Sequence, residues 1–565
     1  MRKNIIYLLV AVLSSTAIVS CNGLKKMDKY IAELGATATP NPLEVHGDSI
    51  AITISGKFPP KYFAKKATVE ATPVLIHGGS ETKFKMKGYQ GEQAAGNYDK
   101  IPYKEGKGFS YTDKIAYTPS MESSKLEVRI YGTQGSKTKD FTPVPVADGV
   151  ITTPYLVKSD DKAIESTDKF VRTTSKSTEA VINFDYNSSN LKASELKDAD
   201  INALTTFLDS VGRNPKLVLK SIEFISYASP EGEMLLNDNL ATERAEAGKK
   251  ALNDILTKKK VTVNESLYTL SPKGEDWEGF REAMEKSNIE DRNIIINVLK
   301  MTGDLQQREK EIKNISKTYV EIQKEIFPAL RRTRILVKYD EEGYSDSELK
   351  QLALTNPSVM TYEELMKAGA LTEDLANRAS IYQSAAGKSD ADYRASNNVG
   401  VMFYQQNKIK DAEVQFKKAY AMSKTPETSN NMGIITRLNG DRKGAMTYYN
   451  EAGNGKETSY NKGIIAIQNG DYSSATSNMS GYKTFNSSLA KLLNKDNGGA
   501  KADIDGSGDA SAMADYLKAI IAARNNEANG VTTNLKAAAQ KDGALLTKAK
   551  SDLEFRNFKD AVGGL

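Results

Sequence analysis

The amino-acid sequence predicts a multidomain protein with an N-terminal β-sandwich-like module, a central α+β domain and a C-terminal α-solenoid. Three observations support this prediction. Apolar and polar residues alternate with a period of two in residues 49–55 and 125–131, which indicates half-buried strands. Strand-like and helix-like patterns alternate over residues 179–340. From residue 358 onward the pattern is helical, with small residues at a recurring spacing.

The first 20 residues have the composition of an export signal. A basic start precedes a nearly continuous apolar run over residues 5–17, and Cys21 is the only cysteine in the chain. This arrangement resembles a type II lipoprotein signal peptide. The resemblance implies removal of residues 1–20 and acylation of Cys21, followed by a linker over residues 21–40. A plain secretory signal and a short membrane anchor are the alternatives, although the run is shorter than the roughly 20 residues of a membrane helix.

The composition beyond Cys21 is that of a folded, water-soluble body. Apolar residues make up 39% and charged residues 26% of the sequence, and no later segment is long and apolar enough to span a bilayer. No disulfide can form within the chain after Cys21. The net charge is +5, and no window combines clustered Lys and Arg with aromatic residues, which argues against nucleic acid as a partner.

Residues 41–174 are predicted to form one or two small β-sandwich-like modules. Short strand patterns are separated by glycine turns, as at residues 78–79 and 106–108. His46 and His77 are the only histidines of the chain, and both lie in this region. Neither has a cysteine or an acidic cluster nearby, so we expect no metal site.

Residues 179–340 carry the most specific motif. A strand pattern leads into the turn Tyr-Ala-Ser-Pro-Glu-Gly at residues 227–232, and Asn237 and Arg244 follow at the start of a long helix. The order and spacing are similar to those of the OmpA-like peptidoglycan-binding domain. A helical insertion over residues 278–327 precedes the last strand, and together with the turn it resembles the OmpA-like variants of Bacteroidetes envelope lipoproteins.

The resemblance implies a peptidoglycan stem peptide as ligand, with Ser229, Arg244 and Asn237 as the binding candidates. In that family an aspartate of the turn and the helix arginine hold diaminopimelate. Here Ser229 stands at the aspartate position, and serine cannot pair with the ligand's ammonium group. Loss of such a contact costs about 1.5–3 kcal/mol. The alternative is that Asn237 and Arg244 shape the helix start, with Arg244 paired to Glu231 or Glu243.

Residues 358–488 are predicted to form helix pairs. Gly400, Gly433 and Gly463 follow one another at intervals of 33 and 30 residues, with alanine and aromatic residues between them. This pattern resembles tetratricopeptide repeats. The alternative interpretation is an ordinary helical bundle in which the spacing is coincidental. The resemblance implies a concave groove for a protein partner. The candidate groove residues are Asn430, Asn431 and Asn461.

The end of the chain is predicted to contain a loop and a final repeat. Residues 489–511 are rich in Gly, Asp and Ala and are interpreted as a flexible loop. Residues 503–509 superficially resemble a calcium loop, but Ala514 stands where the bidentate glutamate belongs. Residues 512–565 are predicted to form the last repeat and a capping helix.

The sequence contains no recognisable catalytic constellation, so we expect neither enzymatic activity nor a cofactor. The favoured function is that of an outer-membrane lipoprotein facing the periplasm, which links the membrane to peptidoglycan and scaffolds protein partners. An acidic run after the lipidated cysteine resembles a surface-export signal of Bacteroidetes lipoproteins. Residues 22–26 lack such a run, so the periplasmic orientation is favoured. The alternative is a subunit of an envelope machine for secretion, outer-membrane biogenesis or surface-fibre assembly, without wall binding.

Overall fold

The computed structural model describes residues 22–565, so the signal peptide and Cys21 lie outside the described residues. The chain forms two compact units. One combines the described residues through Ser166 with Ser389–Leu565, and the other is Thr167–Lys388. Among the described helices none is long and apolar enough to cross a membrane. The predicted multidomain organisation, β-rich at the N-terminus and helical at the C-terminus, is confirmed.

The N-terminal module consists of two sheets that enclose a common core. Its strands are β1 (Thr37–Thr39), β2 (Leu43–His46), β3 (Ser49–Phe58), β4 (Thr68–His77), β5 (Ser80–Lys83), β6 (Lys87–Gly91), β7 (Asp99–Ile101), β8 (Lys107–Ala116), β9 (Ser124–Gln134), β10 (Lys137–Asp140), β11 (Val144–Asp148) and β12 (Val150–Ile151). One sheet has the order β1-β3-β2-β12, with β8 also paired to β3. The other has the order β10-β9-β4-β6-β7, with β11 paired to β9 and β5 to β4. Alternate residues of both sheets, such as Ile52 and Val128, point into the shared core.

The module begins and ends earlier than predicted. Residues 22–40 are not a linker, because they form helix α1 (Asn22–Lys29), a 3₁₀ turn (Ile31–Leu34) and strand β1. Leu24 and Met27 lie one helical turn apart and are buried in the module's core. At the other end the last strand finishes at Ile151, so the predicted boundary at 174 is wrong.

The second unit contains a four-stranded mixed sheet. Its strands are β13 (Thr173–Asn183), β14 (Leu217–Ala228), β15 (Tyr268–Glu275) and β16 (Arg332–Glu342), in the order β13-β16-β14-β15. Strand β16 is antiparallel to both of its neighbours, and β15 is parallel to β14. Helices α2 (Ala199–Val211) and α3 (Met234–Lys258) pack on the sheet through a core that includes Phe224 and Leu252. The first strand begins at Thr173, earlier than the predicted start at 179.

The helical insertion has its own small core. It comprises α4 (Trp277–Lys286), α5 (Arg292–Met301), α6 (Leu305–Lys313), α7 (Ser316–Glu325) and α8 (Phe327–Leu330). Phe280, Ile322 and Phe327 are buried together in that core. The unit ends with α9 (Asp346–Thr355), α10 (Tyr362–Leu371) and α11 (Leu375–Ala386). The predicted repeat region 358–488 is therefore divided, because residues up to Lys388 belong to this unit.

The rest of the chain is an array of helix pairs within the first unit. The paired helices are α12 (Tyr393–Gln405) with α13 (Ile409–Met422), α14 (Pro426–Leu438) with α15 (Arg442–Ala452), α16 (Lys456–Asn469) with α17 (Tyr472–Asn478), α18 (Phe485–Leu493) with α19 (Asn497–Asp505), and α20 (Ala512–Arg524) with α21 (Ala528–Lys541). Helices α22 (Ala544–Ser551) and α23 (Lys559–Gly563) close the array. The prediction of a helical repeat array is confirmed.

The regularly spaced glycines allow the two helices of a pair to approach closely. A methyl group at Gly400 would overlap the ring of Phe416, and one at Gly433 would overlap the ring of Tyr449. The glycine rows therefore mark contacts at which only a hydrogen fits between two helices.

The predicted flexible loop over residues 489–511 is wrong. Helices α18 and α19 cover most of this segment, and Ala500 and Ile504 are fully buried between helices. The Asp496 carboxylate accepts a hydrogen bond from the Gly499 N–H and caps α19. The small residues that suggested a loop serve helix packing here.

Candidate functional site: an asparagine-lined groove

The repeat helices of the first unit present a row of asparagines on one side. The row lies on α12, α14, α16 and α18, and each of its side chains is fully buried: Asn397, Asn398, Asn430, Asn431, Asn461 and Asn486. An extended segment of the same chain, residues 158–166, runs along this row and forms neither helix nor strand. A 3₁₀ turn (Thr153–Leu156) connects the β-module to the segment, and the segment ends at Ser166, where the N-terminal part of the first unit ends.

Four asparagines accept hydrogen bonds from backbone N–H groups of the segment. The pairs are Asn486 Oδ1 with Lys158 N at 2.8 Å, Asn461 Oδ1 with Lys162 N at 2.7 Å, Asn431 Oδ1 with Ile164 N at 2.9 Å, and Asn398 Oδ1 with Ser166 N at 2.7 Å. Between residues 162 and 166, every second residue donates its N–H group to an asparagine. Because an extended chain turns every second peptide to the same side, this spacing follows from the extended conformation of the segment.

The same asparagines donate hydrogen bonds to backbone carbonyl groups. Asn486, Asn461, Asn431 and Asn398 each return a bond to the carbonyl of the residue whose N–H they accept, at 2.8–3.0 Å. Two further amides join them: Asn430 donates to the Lys162 carbonyl and Asn397 to the Ile164 carbonyl, each at 2.9 Å. A side-chain amide offers one acceptor and two donors, so it can replace a neighbouring strand. The asparagine row thus recognises peptide backbone independently of the side chains.

One side chain of the segment is recognised specifically. The carboxylate of Asp161 is fully buried and pairs with Arg437, whose Nε lies 2.7 Å from Oδ1. Tyr449 donates to the same oxygen at 3.3 Å, and Tyr404 donates to the Asp161 carbonyl at 3.2 Å. Burial alone lowers the pKa of Arg437, but the hydrogen bond and charge of Asp161 outweigh it and raise that pKa. This pocket fixes the register of the segment in the groove.

Further polar contacts hold the part of the segment that lies nearer the β-module. Tyr460 donates to the carboxylate of Asp160 at 2.7 Å, and burial raises the pKa of that carboxyl group against the opposing effect of Lys162. The ammonium group of Lys158 lies 2.7 Å from the carboxylate of Asp509 and 4.2 Å from the centre of the Phe485 ring. The end of the segment nearer the β-module is therefore held by side chains as well as by the asparagine row.

The sequence identified only part of this site. Asn430, Asn431 and Asn461 do lie in the groove, where they bind a segment of their own chain. Sequence reasoning missed Asn397, Asn398 and Asn486, as well as the Asp161–Arg437 pair and the segment itself. A signal for Asn398 was present, since Asn398, Asn431 and Asn461 each stand two residues before a repeat glycine.

The residues predicted to bind peptidoglycan lie in the second unit and make intramolecular bonds. The guanidinium of Arg244 is buried and donates to three backbone carbonyls: Ser188 at 3.0 Å, Tyr227 at 3.0 Å and Asp185 at 3.1 Å. Burial, reinforced by the charge of Arg331, lowers the pKa of Arg244 to about 10. Among the described residues no carboxylate forms an ion pair with Arg244.

Ser229 and Asn237 lie in neighbouring networks. The Ser229 hydroxyl donates to Glu231 Oε1 at 2.5 Å, and Arg331 Nη2 pairs with the same oxygen at 2.6 Å. Asn237 donates to Glu275 Oε1 at 2.8 Å. The turn thus carries its own buried ion pair, between Glu231 and Arg331, so the predicted pairing of Glu231 with Arg244 is not observed.

The two histidines make ordinary structural contacts. The ring of His46 meets the ring of Tyr472 edge to face at 4.8 Å. His77 is hydrogen-bonded to Ser120 at 3.0 Å and to Thr82 at 2.9 Å. Within residues 22–565 no group of His, Cys, Asp and Glu side chains is arranged to hold a metal ion.

Comparison with known proteins gives limited similarity. No protein-family model and no curated protein sequence matches the chain. A tetratricopeptide repeat protein from Parabacteroides merdae is 13% identical over 39% of this chain and 91% of its own, with a TM-score of 0.28. The Cut9–Hcn1 hetero-tetramer of the APC/C is 11% identical over 66% of this chain and 82% of its own, with a TM-score of 0.30. An E. coli alpha-2-macroglobulin is 10% identical over 83% of this chain and 26% of its own, with a TM-score of 0.12.

Because these scores are low, the class of the protein rests on its own geometry. Paired helices, glycines at the helix contacts and a row of buried asparagines define a helical repeat array with a peptide-binding groove. In this chain the groove holds residues 158–166 of the same molecule.

Proposed function

We propose that this protein is a non-enzymatic scaffold of the bacterial cell envelope, anchored in the outer membrane by a lipid on Cys21 and facing the periplasm. The observation that supports a structural, non-enzymatic role is the asparagine row, which holds an extended backbone of the same chain. A groove of this kind performs binding rather than chemistry. The anchor and the location rest on the resemblance of the N-terminal sequence to a lipoprotein signal.

The groove serves, in this proposal, as an internal brace. The held segment follows the β-module, and further contacts join this region to the repeats: Asp48 of the module pairs with Arg442 at 2.8 Å, and Thr153, just after the module, donates to the buried Glu554 at 2.5 Å. A tethered segment has an effective concentration of about millimolar, so a free peptide at micromolar concentration competes poorly. Protein partners accordingly contact other surfaces of the scaffold.

Proline substitutions in the segment test the brace. Lys162→Pro with Ile164→Pro removes the two N–H groups that donate to Asn461 and Asn431. The two orphaned acceptors together cost about 2–6 kcal/mol, which weakens the held segment by about thirtyfold to 10⁴-fold, a range that includes the roughly thousandfold advantage of the tether over a micromolar peptide. A fluorescently labelled peptide of residues 157–167 should then bind the double variant, as measured by fluorescence anisotropy.

The matched control is Lys162→Ala with Ile164→Ala, which keeps both N–H groups. This control and the unaltered chain should leave the labelled peptide free at micromolar concentration. Tight binding of the peptide to the unaltered chain would contradict the brace and would make the groove an open site for partners.

The lipid anchor is tested by cell fractionation. Cys21→Ala removes the only thiol that can be acylated, so the altered protein should leave the membrane fraction and should not run as the processed form. Cys21→Ser is a second variant with the same expected result. Retention of both variants in the membrane fraction, with normal processing, would exclude lipidation as the anchor.

Peptidoglycan binding by the second unit is the second candidate function. It is favoured by the position of Asn237 in the first turn of α3, directly after the turn that follows β14, and of Arg244 about two turns further along α3, which is similar to the OmpA-like arrangement. The intramolecular hydrogen bonds of Arg244 and Ser229 favour the alternative function without wall binding. That alternative is a subunit of a secretion, outer-membrane biogenesis or surface-fibre assembly machine. Arg244 already donates to three carbonyls, and Ser229 already donates to Glu231.

A further inference from the structure

Helix α1 presents a basic surface at the point where the described chain begins. Lys25, Lys26 and Lys29 are exposed on the side of α1 opposite to the buried Leu24 and Met27. The acidic residue of the helix is neutralised, because the Asp28 carboxylate lies 3.0 Å from Lys139 Nζ and accepts a hydrogen bond from Thr142 N at 2.7 Å. The outer side of α1 therefore carries a net positive charge.

The basic surface continues into the neighbouring loop. Tyr62 and Ala64 fix this loop to α1, since the Tyr62 hydroxyl donates to the Met27 carbonyl at 2.8 Å and Ala64 N lies 3.3 Å from the Met27 sulfur. Lys61 and Lys66 of the same loop are exposed. Glu33, on the 3₁₀ turn after α1, is an exposed acidic residue close by.

An aromatic side chain lies at the end of the helix. Tyr30 is 38% exposed, and the Lys29 ammonium group lies 5.2 Å from the centre of its ring. Tyrosine next to lysine suits the boundary between water and a lipid headgroup layer, because its ring is apolar and its hydroxyl is polar.

Very few residues separate Cys21 from this basic surface. Gly23 is packed against Gln134 and Ala64, where a Cβ would overlap both. Only Asn22 separates Gly23 from Cys21, and a residue spans at most about 3.6 Å. An acyl group on Cys21 would accordingly bring the start of α1 within about 7 Å of the membrane surface, which is within reach of a lysine side chain on its first turn.

We infer that the outer face of α1, with Lys25, Lys26, Lys29 and Tyr30, binds anionic phospholipid headgroups and orients the β-module on the membrane. This inference rests on the proposed lipid anchor, which would place α1 near the membrane. The positive charge of the face attracts anionic headgroups whether or not Cys21 is acylated. Basic side chains near an anionic lipid surface each contribute favourably, and salt screens the attraction.

Vesicle co-sedimentation tests the inference. The chain beginning at Asn22 contains every described residue and lacks Cys21. It should sediment with phosphatidylcholine vesicles that contain phosphatidylglycerol at least about fivefold more than with phosphatidylcholine alone, and added salt should abolish the difference. Lys25→Glu, Lys26→Glu and Lys29→Glu together should reduce sedimentation to the phosphatidylcholine level.

The control changes the net charge equally at three lysines exposed on the repeats: Lys410→Glu, Lys418→Glu and Lys536→Glu. This control should keep the preference for phosphatidylglycerol. Melting temperatures of both triple variants should match that of the parent, since all six lysines are exposed. Equal sedimentation with both vesicle types, or equal loss in both variants, overturns the inference. The Cys21 fractionation experiment is independent, so the anchor can stand when this inference fails.

Discussion

Asp161→Ala is expected to destabilise the first unit by about 3–5 kcal/mol. The substitution leaves the guanidinium of Arg437 buried without its partner, and the Tyr449 hydroxyl loses its acceptor. Removal of one member of a buried ion pair is costly because the remaining charge stays out of water. Chemical denaturation followed by circular dichroism should show the change in the transition of the first unit, as that unit contains both residues.

A double variant tests whether the unpaired charge of Arg437 causes the loss of stability. Asp161→Ala combined with Arg437→Met removes both charges, and the double variant should regain much of the stability lost in the single variant. If Asp161→Ala costs less than about 1 kcal/mol, the pair is not desolvated, and the register of the segment must then be set by the asparagine row alone.

The repeat array was predictable because its constraint is local. Each close helix contact needs a residue without a side chain, so Gly400, Gly433 and Gly463 recur at nearly equal intervals and can be read directly from the sequence. Asn430 and Asn431 could be placed on the groove side because the inner helices of such repeats carry polar residues. A repeating contact leaves a repeating sequence pattern.

The occupant of the groove was not predictable in the same way. Residues 158–166 are recognised mainly through backbone groups, which every residue possesses, so their side chains carry little signal. Asp161 is the exception, but its partner Arg437 lies far along the chain and follows no repeat. The sequence predicted a binding groove and could not show that a segment of the same chain fills it.

Two boundary errors have a common physical cause. Residues 22–40 and 489–511 are short and rich in small or polar residues, which favours a prediction of linker and loop. The few apolar residues in them, such as Leu24, Met27 and Ile504, decide the structure because they are buried. Short helices supported by tertiary packing leave little periodicity to detect.

Arg244→Ala is expected to destabilise the second unit by about 3 kcal/mol, the upper end of what most single substitutions cost. The guanidinium donates to the carbonyls of Asp185, Ser188 and Tyr227, and its loss removes this donor from three partly buried acceptors. Arg244→Lys should cost less, as an ammonium group can still reach part of this set. The measurement is denaturation of both variants beside the unaltered protein.

Peptidoglycan sedimentation on the same proteins decides what Arg244 does. As a structural residue, Arg244 should affect the melting temperature, and the unaltered protein should stay in the supernatant with purified peptidoglycan. Ser229→Asp should not restore sedimentation, because an aspartate there faces Glu231, which already holds Arg331. If the unaltered protein does sediment, and Arg244→Lys abolishes sedimentation while remaining folded, the guanidinium reaches a ligand carboxylate. In that case the wall-linking function replaces the machine-subunit function.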